Sequence, residues 1–197
     1  MPPGNFAATL LMHPGGLPAE VALRSFVAAL ALYDTCVALT GRSESFTLKC
    51  PNDVLLNGGK LAGILLESAG HAKGVSHLAI GIGVNLAAAP DAGDLEPGAL
   101  VPVSMLGETG VRVAPEDFLA KLAPAFAQWE ARLQAEGFAP VRTAWLAHAA
   151  RLGQVLVART GQASYEGTFQ TLDDRGALVL ATAEGRKVIA AAEIFFG

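Results

Sequence analysis

The stretch Leu48-Lys49-Cys50-Pro51-Asn52-Asp53-Val54-Leu55-Leu56-Asn57-Gly58-Gly59-Lys60-Leu61-Ala62-Gly63-Ile64-Leu65-Leu66-Glu67 limits most tightly what this chain can become. Pro51 fixes its own φ and pushes Cys50 toward extended geometry. Pro51-Asn52-Asp53 is turn chemistry. Asn57-Gly58 is a strong short-hairpin signal, because both residues tolerate positive φ. Two strands therefore flank that turn, Val54–Leu56 and Lys60–Glu67. A period of two puts Lys60, Ala62, Ile64 and Leu66 on one face of the return strand, and Leu61, Gly63, Leu65 and Glu67 on the other. Lys60 then shares a side with aliphatic residues. It lies either at the sheet rim with its stem along apolar surface, or against an anion in a pocket. Gly63 in mid-strand suggests the close approach of a ligand or another backbone.

Charged residues make up only 16% of the chain, so two lysines and an aspartate inside one hairpin ask for a reason. A cross-strand ion pair between Lys49 and Glu67 is the plain explanation. The whole chain is 52% hydrophobic and only 7% aromatic, which suits a packed sheet with helices. Its 197 residues allow one sizeable domain, or one domain and a small module. A net charge of −4 argues against a nucleic-acid surface. No apolar run appears long enough to cross a membrane uninterrupted, and the N-terminus lacks the basic start of a signal peptide. Cys36 and Cys50 fall in no metal or redox spacing, which favours a reduced, cytoplasmic protein. His13, His71, His77 and His148 lack ligand spacing.

Phe6–Met12 reads as a strand. Ala19–Leu39 reads as a helix with almost no polar face, and so as a buried one. Residues 70–74 form a loop, and Leu78–Leu86 a buried strand with Gly81 and Gly83 on one side. Those glycines admit either a flat ligand or a helix packed tightly on the sheet. Residues 87–102 are a Pro/Gly/Asp-rich loop. Pro115–Glu136 is a second long helix, with Pro115, Glu116 and Asp117 at its start and Gly137 at its stop. Val141–Ala150 is a third, anchored by Trp145. From Leu152 the pattern changes to short strands near 155–158, 165–172, 177–181, 187–190 and 194–196, a density that suggests a small barrel or meander.

Three motifs in order, Lys49-x-Pro51-Asn52-Asp53, Lys60-Leu61-Ala62-Gly63-Ile64-Leu65 and Gly81-Ile82-Gly83-Val84-Asn85, resemble the core of the biotin protein ligases. The resemblance implies an α+β fold: a mixed sheet with packed helices, as in class II aminoacyl-tRNA synthetases, over residues 1–150, and an SH3-like C-terminal barrel over 151–197. It implies a reaction in two steps. Biotin and ATP with Mg2+ give biotinyl-5′-adenylate and pyrophosphate; a lysine of a biotin carboxyl carrier protein domain then attacks the anhydride and AMP leaves. Both steps build negative charge, which fixed cations stabilise. On this resemblance Lys60 contacts the biotin carboxyl and α-phosphate, and Lys49 lies near the nucleotide. Asn52 and Asp53 do the remaining polar work, Asp53 holding Mg2+ or ordering the lysines. Gly63 and Ile64 flank the biotin rings, and Asn85 belongs to the nucleotide pocket. The family also makes a homodimer through sheet edges an expectation.

Three departures accompany this. The family's Gly-Arg-rich arm precedes the point at which this chain begins, so the resemblance is to an N-terminally truncated member. Cys50 stands where the family usually has Trp. Glu193 matches the acid before the last strand, but the basic residue often found just beyond it is missing. The alternative is therefore a degenerate or truncated biotin- or adenylate-binding homologue with little ligase activity.

Overall fold

A computed structural model describes residues 2–71, 74–91, 93, 99–161, 163–190 and 193–196. Strands β1 (Phe6–Met12), β2 (Phe46–Lys49), β3 (Asp53–Leu56), β4 (Gly59–His71) and β5 (Gly74–Val84) form one sheet in the order β1-β5-β4-β3-β2. Every pairing between these strands is antiparallel rather than mixed; among the described residues parallel contact is confined to the isolated bridges Leu48↔Ala149 and Lys60↔Pro102. Strand β5 starts four residues earlier than the apolar pattern suggests. Ser76 and His77 are exposed there and hide the alternation, while Val75 N–H donates to Gly16 O at 2.9 Å. Of the expected 70–74 loop, residues 72 and 73 lie outside the described residues, as do 92 and 94–98 of the 87–102 loop.

One face of the sheet is sealed by helices. The expected 19–39 helix is two pieces, α1 (Pro18–Ala22) and α2 (Arg24–Thr40), divided at Leu23. Together, Pro18–Thr40 is 23 residues and holds an 18-residue stretch of mean hydropathy 1.5, so by length and composition it passes as a membrane span, although Glu20, Arg24 and Asp34 interrupt its apolar run. The fold supplies another reason for its composition. Val27, Ala28, Ala31 and Leu32 are fully buried, between the sheet and helix α4 (Pro115–Glu136). Gly41 ends α2 in the left-handed conformation, φ 70°, which a glycine takes without strain. A short helix α3 (Met105–Thr109) is capped by Ser104, whose hydroxyl accepts from Gly107 N–H.

Helix α5 (Phe138–Ala147) begins directly after Gly137 and stops earlier than expected. The next residues leave the helix to pair with the outer edge of β2. Leu48 N–H donates to His148 O and Ala150 N–H donates to Leu48 O, each at 2.8 Å. An edge strand offers unpaired backbone groups, and this linker satisfies them. Strands β6 (Val155–Arg159), β7 (Ser164–Leu172), β8 (Leu178–Thr182), β9 (Gly185–Ile189) and β10 (Glu193–Phe195) then form a second antiparallel sheet, in the order β10-β6-β7-β8-β9. It presses on the first unit through Gly176 (φ 79°), where a Cβ would meet the Phe26 ring at 2.6 Å.

Candidate active site

The strand register assembles the site. Lys49 pairs with Asp53, Asp53 with Gly63, Gly63 with Gly83, and Gly83 with Ala7. Directly opposed residues share a face, so these five form one row across the sheet. The neighbouring row, Leu48, Val54, Ala62, Val84 and Phe6, is buried on the helix side. The Lys49 row therefore lies on the face that α2 and α4 do not cover. Further along that face stand Leu65, Gly81 and Thr9, with Leu65 61% exposed.

Simple alternation places Lys60 on the other face, with Ala62 and Ile64. The structure overturns this. The β3–β4 register shifts between Val54 and Leu55, so that Val54 pairs with Ala62 but Leu55 pairs with Lys60. Leu61 is the extra residue and is buried beside buried Ala62. A bulge of this kind re-aims the side chains before it, and Lys60 joins the Gly63 face. Its Nζ lies 2.7 Å from Asp53 Oδ1, while Lys49 Nζ lies 3.3 Å from Asp53 Oδ2. Asp53 thus holds both lysines. The side chains of Lys49 and Asp53 are largely buried, and that of Lys60 is 45% exposed. Glu67, exposed and paired with Ala79, takes no part, so the expected Lys49–Glu67 ion pair is absent.

Two of the glycines on this face, Gly63 and Gly81, are not demanded by packing. The atoms nearest a Cβ on Gly63 would belong to Lys60 and Asp53, at 3.6–3.8 Å, and among the described residues one on Gly81 would meet only Leu65, at 3.6 Å or more. No helix atom is near, so tight helix packing does not explain the Gly81 position. These residues leave an open floor beside the two lysines.

The other expected residues divide. Asn52 Nδ2 donates to Ile64 O at 2.7 Å, and Ile64 N–H donates to Asn52 O at 2.9 Å. Asn52 thus pins the turn to β4 and acts on the site through the backbone. Ile64 is not on the open face: its side chain is 3% exposed, opposite Ile82, among the core. Only its backbone can meet a ligand on the Gly63 side. Asn85 Nδ2 donates to Val103 O at 3.1 Å. The segment it holds is the one that Lys60 grips, with Lys60 N–H donating to Val101 O and Val103 N–H to Lys60 O. Gly59 lets that segment approach, since a Cβ there would lie 2.4 Å from Val103 Cγ1. Cys50 sits half-buried against the core, and burial pushes its thiol up to about 12 although Lys49 pulls the other way. It is a small hydrophobe and not a nucleophile.

Asp53 fits poorly as the anchor of a metal ion. Both of its carboxylate oxygens face lysines, and no cluster of three or more metal-ligating side chains occurs among the described residues. A Mg2+ ion there would depend on phosphate and water ligands, as this ion often does.

Sequence reasoning missed Phe196 and Arg151. The Phe196 ring lies 5.9 Å from Lys49 Nζ and 5.2 Å from the Arg151 guanidinium. Both residues stand about a hundred or more positions from Lys49 and belong to no local motif, so only the docking of the 148–150 linker reveals them. With Thr47, Leu55, Ala99 and Leu100 they line a cavity of about 540 Å3. A second cavity, about 410 Å3, lies between β1 and α4 and is lined by Leu122, Phe126 and other apolar groups, with no charged residue.

Residues 2–85 match the model of the biotin/lipoate A/B protein ligase family, and residues 152–197 that of the biotin protein ligase C terminal domain. The chain is 60% identical, over all 197 residues, to a biotin--[acetyl-CoA-carboxylase] ligase of Paracoccus denitrificans, covering 82% of that protein. It is 32% identical over 152 residues to the bifunctional ligase/repressor BirA of Bacillus subtilis, covering 46% of it. A biotin protein ligase crystal structure from Aquifex aeolicus shares the fold, with a TM-score of 0.84 at 19% identity over 98% of this chain and 83% of that one. The same enzyme in complex with biotin and ATP aligns with a TM-score of 0.78 at 20% identity, over 97% of this chain and 77% of that one. The two family matches and the full-length identity to the Paracoccus enzyme establish that this chain belongs to the biotin protein ligase family.

Proposed function

We propose that this chain is an ATP-dependent biotin–protein ligase, which forms biotinyl-5′-adenylate and transfers biotin to a lysine of a biotin carboxyl carrier protein domain, as of acetyl-CoA carboxylase. The observation that carries this reading is the pair of lysines gathered by one buried carboxylate beside an open, glycine-floored sheet face. In the first step a biotin carboxylate oxygen bonds to the α-phosphorus, and the bond to the bridging oxygen of pyrophosphate breaks. Lys60, half-exposed, is the cation positioned to meet both anions and to stabilise the charge that grows between them. Asp53 keeps its amine in place, and Lys49 supplies a second, more buried positive charge. Gly63 and Gly81 leave room for flat rings against the sheet. A Mg2+ ion accompanying ATP would draw its ligands from phosphate and water, since both Asp53 oxygens face lysines. In the second step the carrier amine attacks the acyl carbon and AMP departs, its charge again facing Lys60. The family membership and the 60% identity to a named ligase favour this over a degenerate binder.

The test is incubation with biotin, ATP, Mg2+ and a biotin carboxyl carrier domain. Biotin-dependent pyrophosphate release and biotin on the carrier lysine are expected. Release of neither product would overturn the reading.

A further inference from the structure

Lys49 and Arg151 come from different units of the fold, yet both lie against the ring of Phe196. Arg151 reaches this position by a specific route. The linker 148–150 is hydrogen-bonded to β2 at Leu48, one residue before Lys49. Arg151 follows in the left-handed conformation, φ 62°, which is uncommon for a residue with a side chain. Its carbonyl accepts from Gln154 N–H and its Nη1 donates to Gln154 Oε1, both at 2.9 Å, which fixes the turn and the guanidinium together. Among the described residues no carboxylate pairs with it. An arginine held in a strained backbone state, exposed and without an acid, is suited to an anion from outside.

We propose that Arg151 is a polyphosphate-binding residue, taking the β- and γ-phosphates of ATP and holding pyrophosphate as it leaves. This rests on the reading of the open face as the adenylation site. The cavity of about 540 Å3 contains Thr47 and Leu55, which share the face of Lys49 and Asp53 but stand one alternation further toward the hairpin end. Two residues along a strand span about 7 Å. An anion that touches the lysine row and Arg151 must therefore be longer than one phosphate. The apolar ring of Phe196 keeps the two cations apart and attracts each of them.

Calorimetric titration of ATP, AMP and inorganic pyrophosphate tests this on four forms of the full chain: wild type, R151G, R151K and K60A. Glycine takes φ 62° without strain, so R151G removes the cation while keeping the fold; an unchanged melting temperature verifies that. R151G should weaken ATP and pyrophosphate about tenfold, as expected for a lost charged hydrogen bond. AMP affinity should barely move, and R151K should recover part of the loss. Wild-type affinity of R151G for ATP and pyrophosphate overturns the assignment, and so does an equal loss for AMP. If K60A weakens ATP while R151G does not, only the role of Arg151 falls. If K60A also binds ATP as wild type, or wild type binds no ATP, the reading of the open face falls with it.

Discussion

Among the described residues two buried carboxylates are held by cations, and they differ in what lies above them. Glu130 of α4 accepts from Arg24 of α2, with Nη2 at 2.7 Å and Nε at 3.1 Å, and from Gln134 Nε2 at 2.9 Å. Both side chains are about nine-tenths buried between the helices, and Glu130 Oε2 has no partner. Asp53 is buried to the same degree, but one of its two lysines is 45% exposed over an open floor. The first cluster is closed: its charges neutralise each other beneath the helices, although one carboxylate oxygen is left without a hydrogen bond. In the second, one cation is bound from below and free to meet a ligand above. Charge in a core is therefore not evidence of chemistry by itself; the uncovered side decides.

Removing one partner from each cluster should separate the two roles. The largest effect is expected for Arg24→Met, which strands a buried carboxylate. Denaturant unfolding should show a loss of about 3–5 kcal/mol, and replacing Glu130 as well should restore most of it. A small loss would mean that water reaches Glu130. Lys60→Ala should do the reverse. Adenylate formation, followed by pyrophosphate release, should fall by about 10²–10³-fold, while stability changes by less than about 1 kcal/mol because the lysine is half in solvent. Near-normal turnover would show that the open cluster is only a second structural pair.

A weaker effect concerns the linker on β2. His148 stacks on Tyr33 with ring centroids 3.9 Å apart, and burial lowers its pKa from the ordinary 6.5. Below that value the unfolded chain takes up the proton more readily than the folded one. Stability should therefore be full above pH 6.5 and decline as pH falls through the window beneath it. Unfolding midpoints of wild type and His148→Gln at pH 7.5 and 5.5 should show a larger drop for wild type; equal drops would remove His148 as the source. The smallest effect is expected for Cys50→Ala, in which turnover should persist, and iodoacetamide at pH 8 should leave both Cys36 and Cys50 unmodified while the protein is folded, since burial pushes each thiol up to about 12. Rapid alkylation of Cys50 would show that the site face opens further than its burial indicates.

Much of this molecule is legible in its sequence. The bounds Phe6–Met12 and Pro115–Glu136 agree with the sequence reading to the residue, and for the helix Pro115 and Gly137 are the local signals. The hairpin at Asn57-Gly58 follows from local backbone freedom, and the ordered motifs pointed to the family. What failed was whatever depends on a partner elsewhere in the chain. Alternation puts Lys60 on the wrong face because a bulge is a mismatch between two strands, and periodicity describes only one. Ile64 was placed in the site by its motif, yet its side chain serves the core. The sequence extends helix α5 past Ala147 because the free edge of β2, which pairs with residues 148–150, lies a hundred positions away.

The sequence by itself determined which residues form hairpins, helices and the late strand-rich module, since these follow from φ preference and hydrophobic period. It also determined the supply of two lysines, an aspartate and glycines at fixed spacing. Only the tertiary structure decided that both lysines meet one carboxylate on the uncovered face, and that Phe196 and Arg151 join them. Strand register and linker docking bring those groups together, and both are set by hydrogen bonds and packing between distant segments.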